Sequence, residues 1–115
     1  MLVVKIGAGV VAALHAWFLV LEMFLWTTPF GRKTFGTDES FATQSAALAK
    51  NQGLYNGFLV AGLVWGIVTA ARPTLTFFLA CVVVAGVYGA ITVSKKIAFI
   101  QALPAAIVLA LMYFA

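Results

Sequence analysis

The chain has 115 residues, of which 64% are hydrophobic and only 9% charged, with a mean hydropathy of +1.11. Polar residues are too few to cover a water-exposed domain of this length, so the composition is that of a membrane protein. Its net charge of +4 comes from Lys and Arg scattered at the ends of apolar runs, which argues against nucleic acid as a partner, and one cysteine (Cys81) with one histidine (His15) leaves neither an internal disulfide nor a Cys/His metal site.

Four apolar segments, at about 4–26, 53–71, 74–94 and 97–115, each approach the roughly 20 residues that span about 30 Å of hydrocarbon as a helix. The expected fold is all-α: a four-helix transmembrane bundle in a single domain, 1–115, with a short interfacial helix between helices one and two. The first segment runs past any plausible small-residue cleavage site and carries an acid. It therefore reads as a retained helix and not a removed signal peptide. Within it, His15 and Glu22 interrupt the run LHAWFLVLEMFLW. Ionisable groups at membrane depth cost several kcal/mol and mark functional positions by default. Their spacing of seven places both on one helix face, since seven steps of about 100° return to within about 20° of the start.

Thr28-Pro29 is expected to end the first helix, because the residue before a proline leaves the helical region. The connection from Thr27 to Asn51 divides into a turn-prone basic stretch, FGRKTFG, and a short helix over Thr37 to Lys50. Thr37 would cap that helix, with Asp38 and Glu39 in its first turn and Lys50 in its last, each favourable to the helix dipole. Phe41 and Leu48, seven apart, would rest it on the membrane surface. Pro73 fits the first turn of the third helix, so helices two and three form a tight hairpin through Ala71-Arg72-Pro73. Pro104 frees the carbonyl of Ile100 and should bend the fourth helix beside Gln101.

The connections after helices one and three carry five basic residues, Arg32, Lys33, Lys50, Lys95 and Lys96; the other side has Lys5 and Arg72. The basic side is expected to be cytoplasmic with both termini outside, and the address a bacterial plasma membrane. By depth, Glu22, Asn56, Tyr88, Thr92 and Gln101 fall in the cytoplasmic-side leaflet, with His15 deepest, so the expectation is a polar pocket open on one side. Its candidate ligand-binding residues are Glu22, His15, Trp26, Arg32, Asn51, Gln52, Tyr55, Asn56, Tyr88 and Gln101, with Glu22 and His15 as catalytic candidates. Small residues at four-residue spacing, Gly53-Gly57-Ala61, Gly62-Gly66 and Ala85-Gly89, permit close helix approach.

Each residue also has an architectural reading. His15 can bond a carbonyl or Tyr88, Glu22 can pair with Arg32 or Lys33 as an anchor, and Gln52, Asn56 and Gln101 can join helices. Trp17, Trp26 and Trp65 suit an aromatic belt, and Cys81 a small apolar gap.

The strings LEMFLWTTPFGRKTFG (Leu21 to Gly36), NQGLYNGFL (Asn51 to Leu59) and AGVYGA (Ala85 to Ala90) resemble those of the small bacterial integral membrane proteins grouped as domain of unknown function 1304. The resemblance covers almost the whole chain, loosely between Thr37 and Lys50. It implies four transmembrane helices in one domain and carries no activity over. Its signature strings contain Glu22, Arg32, Asn51, Gln52, Tyr55 and Asn56.

Three function classes follow. The first is an intramembrane binder or enzyme for a small amphiphile entering from the cytoplasmic leaflet, with Glu22 as acid, base or counter-charge to a cation. The second is a proton-coupled exporter of hydrophobic cations, which with four helices would need to be a homo-oligomer. The third is an accessory subunit of a membrane complex. Membrane lipid is the one general partner expected. No phosphate-binding glycine loop, haem-binding histidine pair or catalytic triad is present, so no cofactor is assigned.

Overall fold

A computed structural model describes residues 1–114. Among the described residues all regular structure is helical: α1 (Leu2–Met23), α2 (Pro29–Phe35), α3 (Glu39–Thr69), α4 (Arg72–Thr92), a π-helical turn (Ala98–Ala102) and α5 (Leu103–Phe114). α1, α3 and α4 are long and apolar enough to cross a membrane, and the segment Ala98–Phe114 is a shorter apolar helix. The expected end of the fourth segment at 115 lies outside the described residues.

Three boundaries differ from expectation. α1 stops at Met23, five residues before Thr28. Its last turn loosens as the N–H groups of Phe24 and Leu25 both reach the Val20 carbonyl, at 3.0 and 3.2 Å. Pro29 does not terminate that helix; it opens the next one, where its missing N–H is harmless. The FGRKTFG stretch is accordingly helix, not turn. Thr28 caps it by accepting from the Gly31 N–H at 3.1 Å while donating its hydroxyl to the Leu25 carbonyl at 2.6 Å. Gly36, at φ +67°, closes it in the left-handed conformation.

The separate interfacial helix over Thr37 to Lys50 is not formed. Those residues are the first part of α3, which runs 31 residues without a break. Its cap is Asp38, not Thr37: Oδ1 of Asp38 accepts from the Phe41 N–H at 2.7 Å. Lys50 lies mid-helix instead of in a last turn. The boundary expected between Lys50 and Gly53 is continuous helix, with Asn51 and Gln52 exposed and Gly53 buried.

The described chain forms two compact units. One comprises Met1–Ala13 and Ala61–Ala115, and its interior is apolar: Val4, Ala8, Val11 and Ala12 of α1, Leu63 of α3, Leu75, Leu79 and Val82 of α4, and Ala102, Ala105, Val108 and Met112 after the π turn. The expected hairpin is present. Ala70 takes φ +52°, Ala71 returns its N–H to the Gly66 carbonyl at 3.1 Å, and Pro73 stands in the first turn of α4. α4 packs along the π turn and α5, so closely at Gly86 that a Cβ there would stand 2.6 Å from the Ala102 nitrogen. The bend expected at Pro104 takes the form of the π turn, in which Leu103 donates to Ala98, five residues back. With no N–H on Pro104, the four-residue ladder cannot continue through it. Arg72 closes the unit: Nη2 donates to the Met112 carbonyl at 2.8 Å, and the guanidinium lies 4.9 Å from the Tyr113 ring centre. There it meets the negative end of α5.

The other unit, Leu14–Val60, has a thin interior. Its buried apolar side chains are Leu21, Ala42 and Ala49, and beside them lie the two buried polar residues, His15 and Asn56. The α3 positions 42, 45, 49, 53 and 56 repeat at three and four residues and form one stripe of small and polar residues.

Candidate functional site

The polar interior of the Leu14–Val60 unit follows from that stripe. Gly53 has no side chain, so α1 comes close enough that a Cβ at position 53 would overlap Met23 and stand 3.3 Å from the Glu22 Cβ and the Leu19 carbonyl. Contact this tight brings short side chains together. Three residues further along α3, Asn56 Nδ2 donates to Glu22 Oε1 at 2.5 Å. Asn56 is 6% exposed and Glu22 half-buried. The amide is therefore fixed in the interior while the carboxyl keeps an open side.

Seven residues before Glu22 on α1, His15 is fully buried, with the Phe18 ring edge-on at 5.2 Å. It shares the helix face of Glu22, as the spacing predicts. Trp26 lies in the link after α1, half-buried. Its indole Nε1 donates to Ser45 Oγ at 3.0 Å, and its ring lies 4.8 Å from that of Phe35. Ser45 in turn donates to the Phe41 carbonyl at 2.6 Å. Arg32, in the last turn of α2, is half-buried.

The remaining predicted residues divide. Asn51, Gln52 and Tyr55 are exposed, Tyr55 stacking edge-on with Phe58 at 5.6 Å. Tyr88 and Gln101 belong to the first unit. Tyr88 is 69% exposed, and the face α4 buries is Leu75, Leu79, Val82 and Gly86, so Tyr88 lies off the buried face. Gln101 is half-buried within the π turn.

Two clefts stand out in the fold. An open apolar one of about 280 Å³ is lined by Val83, Val87, Ala98, Phe99 and Ala102, and a shallow polar one by Glu39, Ser40, Thr43 and Gln44. Neither is lined by a predicted site residue. What the arrangement offers chemically is a single carboxyl, held at one oxygen by an amide donor in apolar surroundings. It can act as counter-charge to a cation or exchange a proton with one. Sequence reasoning missed Ser45 because it placed that residue on a separate surface helix, away from Trp26.

A family model described as protein of unknown function (DUF1304) matches residues 9–113. Over 106 residues the chain is also 28% identical to the uncharacterized protein YpaA of Lactococcus lactis subsp. lactis (strain IL1403), covering 88% of this chain and 89% of that one. No solved structure matches.

Proposed function

The chain belongs to the DUF1304 family, and on that premise we propose that it is an integral membrane protein that binds a small cationic amphiphile at Glu22. The reading includes a single domain with four crossings, the fourth being Ala98–Phe114. At about 1.5 Å per residue that segment reaches roughly 26 Å, somewhat short of the hydrocarbon thickness, a mismatch that local bilayer thinning accommodates. The side bearing Arg32, Lys33, Lys50, Lys95 and Lys96 is cytoplasmic.

The observation that carries this reading is the Glu22–Asn56 pair. A carboxyl placed only to join two helices is best used when both oxygens are engaged in the interior, whereas here one oxygen accepts from a buried amide and the residue remains half-open. An amphiphile diffusing in the bilayer can present an ammonium or phosphonium head to that open side while its apolar body stays in lipid. The attraction is strong there because the surroundings are poorly screened. Asn56 orients the carboxyl in advance, which lowers the cost of ordering it on binding.

The test is equilibrium binding of tetraphenylphosphonium to the purified protein in lipid nanodiscs. Glu22→Gln keeps a side-chain oxygen for Asn56 and removes the charge, so the fold should persist while binding falls at least tenfold. Undiminished binding by Glu22→Gln, or no saturable binding by the unmodified protein, would overturn the proposal and leave the pair an architectural clasp.

A further inference from the structure

α2 carries two adjacent cations, Arg32 and Lys33, in its last turn. Arg32 is half-buried, and its Nε is buried with no hydrogen-bond partner among the described residues. Neither cation has an ion-pair partner among the described residues. The nearest acid in sequence, Asp38, uses Oδ1 to cap α3 through the Phe41 N–H. A guanidinium partly withdrawn from water and unmatched by protein retains a desolvation cost that an external anion offsets.

The depth of α2 follows from its aromatic contacts. Phe30 meets the Trp17 ring edge-on at 6.2 Å, and Trp17 precedes the end of α1 by six residues, about 9 Å of helix rise. α2 is thus folded back along the last turns of a helix that is long and apolar enough to cross a membrane. Phe35, at the other end of α2, packs on Trp26. Phe30 and Phe35 still expose 55% and 40% of their surface, and Trp17 45%. Half-exposed aromatic rings on both sides of a cation pair, at the end of a spanning helix, is the composition of a headgroup boundary.

We propose that α2 is a clamp for the phosphate of an anionic phospholipid of the surrounding bilayer, with Arg32 holding the phosphate and Lys33 reinforcing the charge at the same headgroup. The planar guanidinium matches phosphate geometry through its outer N–H groups. The lipid's acyl chains descend past Phe30 and Trp17. A zwitterionic headgroup brings its own ammonium and is held less well. This site goes beyond the one at Glu22, having the opposite charge requirement and a different element.

Native mass spectrometry of the detergent-purified full chain, offered phosphatidylglycerol and phosphatidylcholine of equal chain length, tests it. Phosphatidylglycerol should be retained preferentially. Arg32→Gln and Lys33→Gln should each lower that preference about fivefold, from the roughly 1 kcal/mol that each juxtamembrane cation contributes at an anionic surface. Lys95→Gln should leave it unchanged. Lys33 is exposed, so Lys33→Gln decides the matter if Arg32→Gln loses helicity by circular dichroism. Equal retention of the two lipids, a preference that Lys33→Gln does not reduce, or displacement of the lipid by inorganic phosphate would each overturn the proposal.

Discussion

Asn56 and Glu22 are 34 residues apart in sequence and joined by a side-chain hydrogen bond, amide to carboxylate, where α3 meets α1. Because Asn56 is buried and Glu22 half-buried, the two side chains satisfy one another where water is scarce. Removing one therefore strands the other.

Asn56→Leu should accordingly destabilise the protein by about 1–2 kcal/mol in detergent or lipid, in the range found for interhelical hydrogen bonds in membranes and for stranded polar groups. Glu22→Gln, which keeps an acceptor, should cost less. In a double-mutant cycle of Glu22→Leu with Asn56→Leu, monitored by thermal loss of helicity, the double variant should lose less than the sum of the singles. Strict additivity would show that the bond contributes nothing.

Gly53→Val introduces a branched side chain where even a Cβ overlaps Met23. Separating α1 from α3 there should cost about 2 kcal/mol or more, and it should also weaken tetraphenylphosphonium binding, because Asn56 lies one turn along the same face. Gly53→Ala should have a smaller effect on both measurements. A stable Gly53→Val protein with full binding would contradict the close approach.

Ala70 pays a conformational cost in the α3–α4 turn, its φ of +52° being a value that a residue with a Cβ adopts reluctantly. Ala70→Gly should raise thermal stability by about 0.5–1 kcal/mol, while Ala70→Val should lower it. Unfolding midpoints measured in one detergent decide between these and a neutral outcome.

Arg72 joins the start of α4 to the end of α5 through the Met112 carbonyl and the Tyr113 ring. Arg72→Gln should lower stability by about 1 kcal/mol, combining a partly exposed cation–π contact with the lost charge at a helix C-terminus. Arg72→Lys, which keeps the charge and loses the planar stack, should fall between. Hydrogen exchange of the last turn of α5 should speed up in both.

Much of the fold was legible because it rests on local rules. The apolar runs, the hairpin at Ala71 to Pro73 and the disturbance ahead of Pro104 all follow from chain chemistry within a few residues. Pro29 shows where local rules divide: the same proline that forbids helix at Thr28 is well suited to begin one, and only the Thr28 cap decides that FGRKTFG coils. Lys50 to Gly53 shows the opposite failure, since the change there from polar to apolar sequence suggested two helices where α3 runs unbroken. Of the candidate site, the shared face of His15 and Glu22 was readable from their spacing. The choice of Asn56 over Gln52 as the partner of Glu22 was not, because it depends on the register between two helices. The same holds for Trp26 with Ser45 and Arg72 with Tyr113, which are long-range consequences of packing.

The stripe of Ala42, Ala49 and Gly53 on α3 is nearly smooth, and smooth rods slide. With no bulky knobs of its own, that stripe offers translation past its neighbour little steric resistance beyond Met23 lodged at Gly53. Two polar latches interrupt that freedom, Ser45 with Trp26 and Asn56 with Glu22. They stand eleven residues apart on one rigid helix, about 16 Å. Both must release together before the seam can shift a notch, so losing the Glu22–Asn56 bond removes one of the two polar holds on that register.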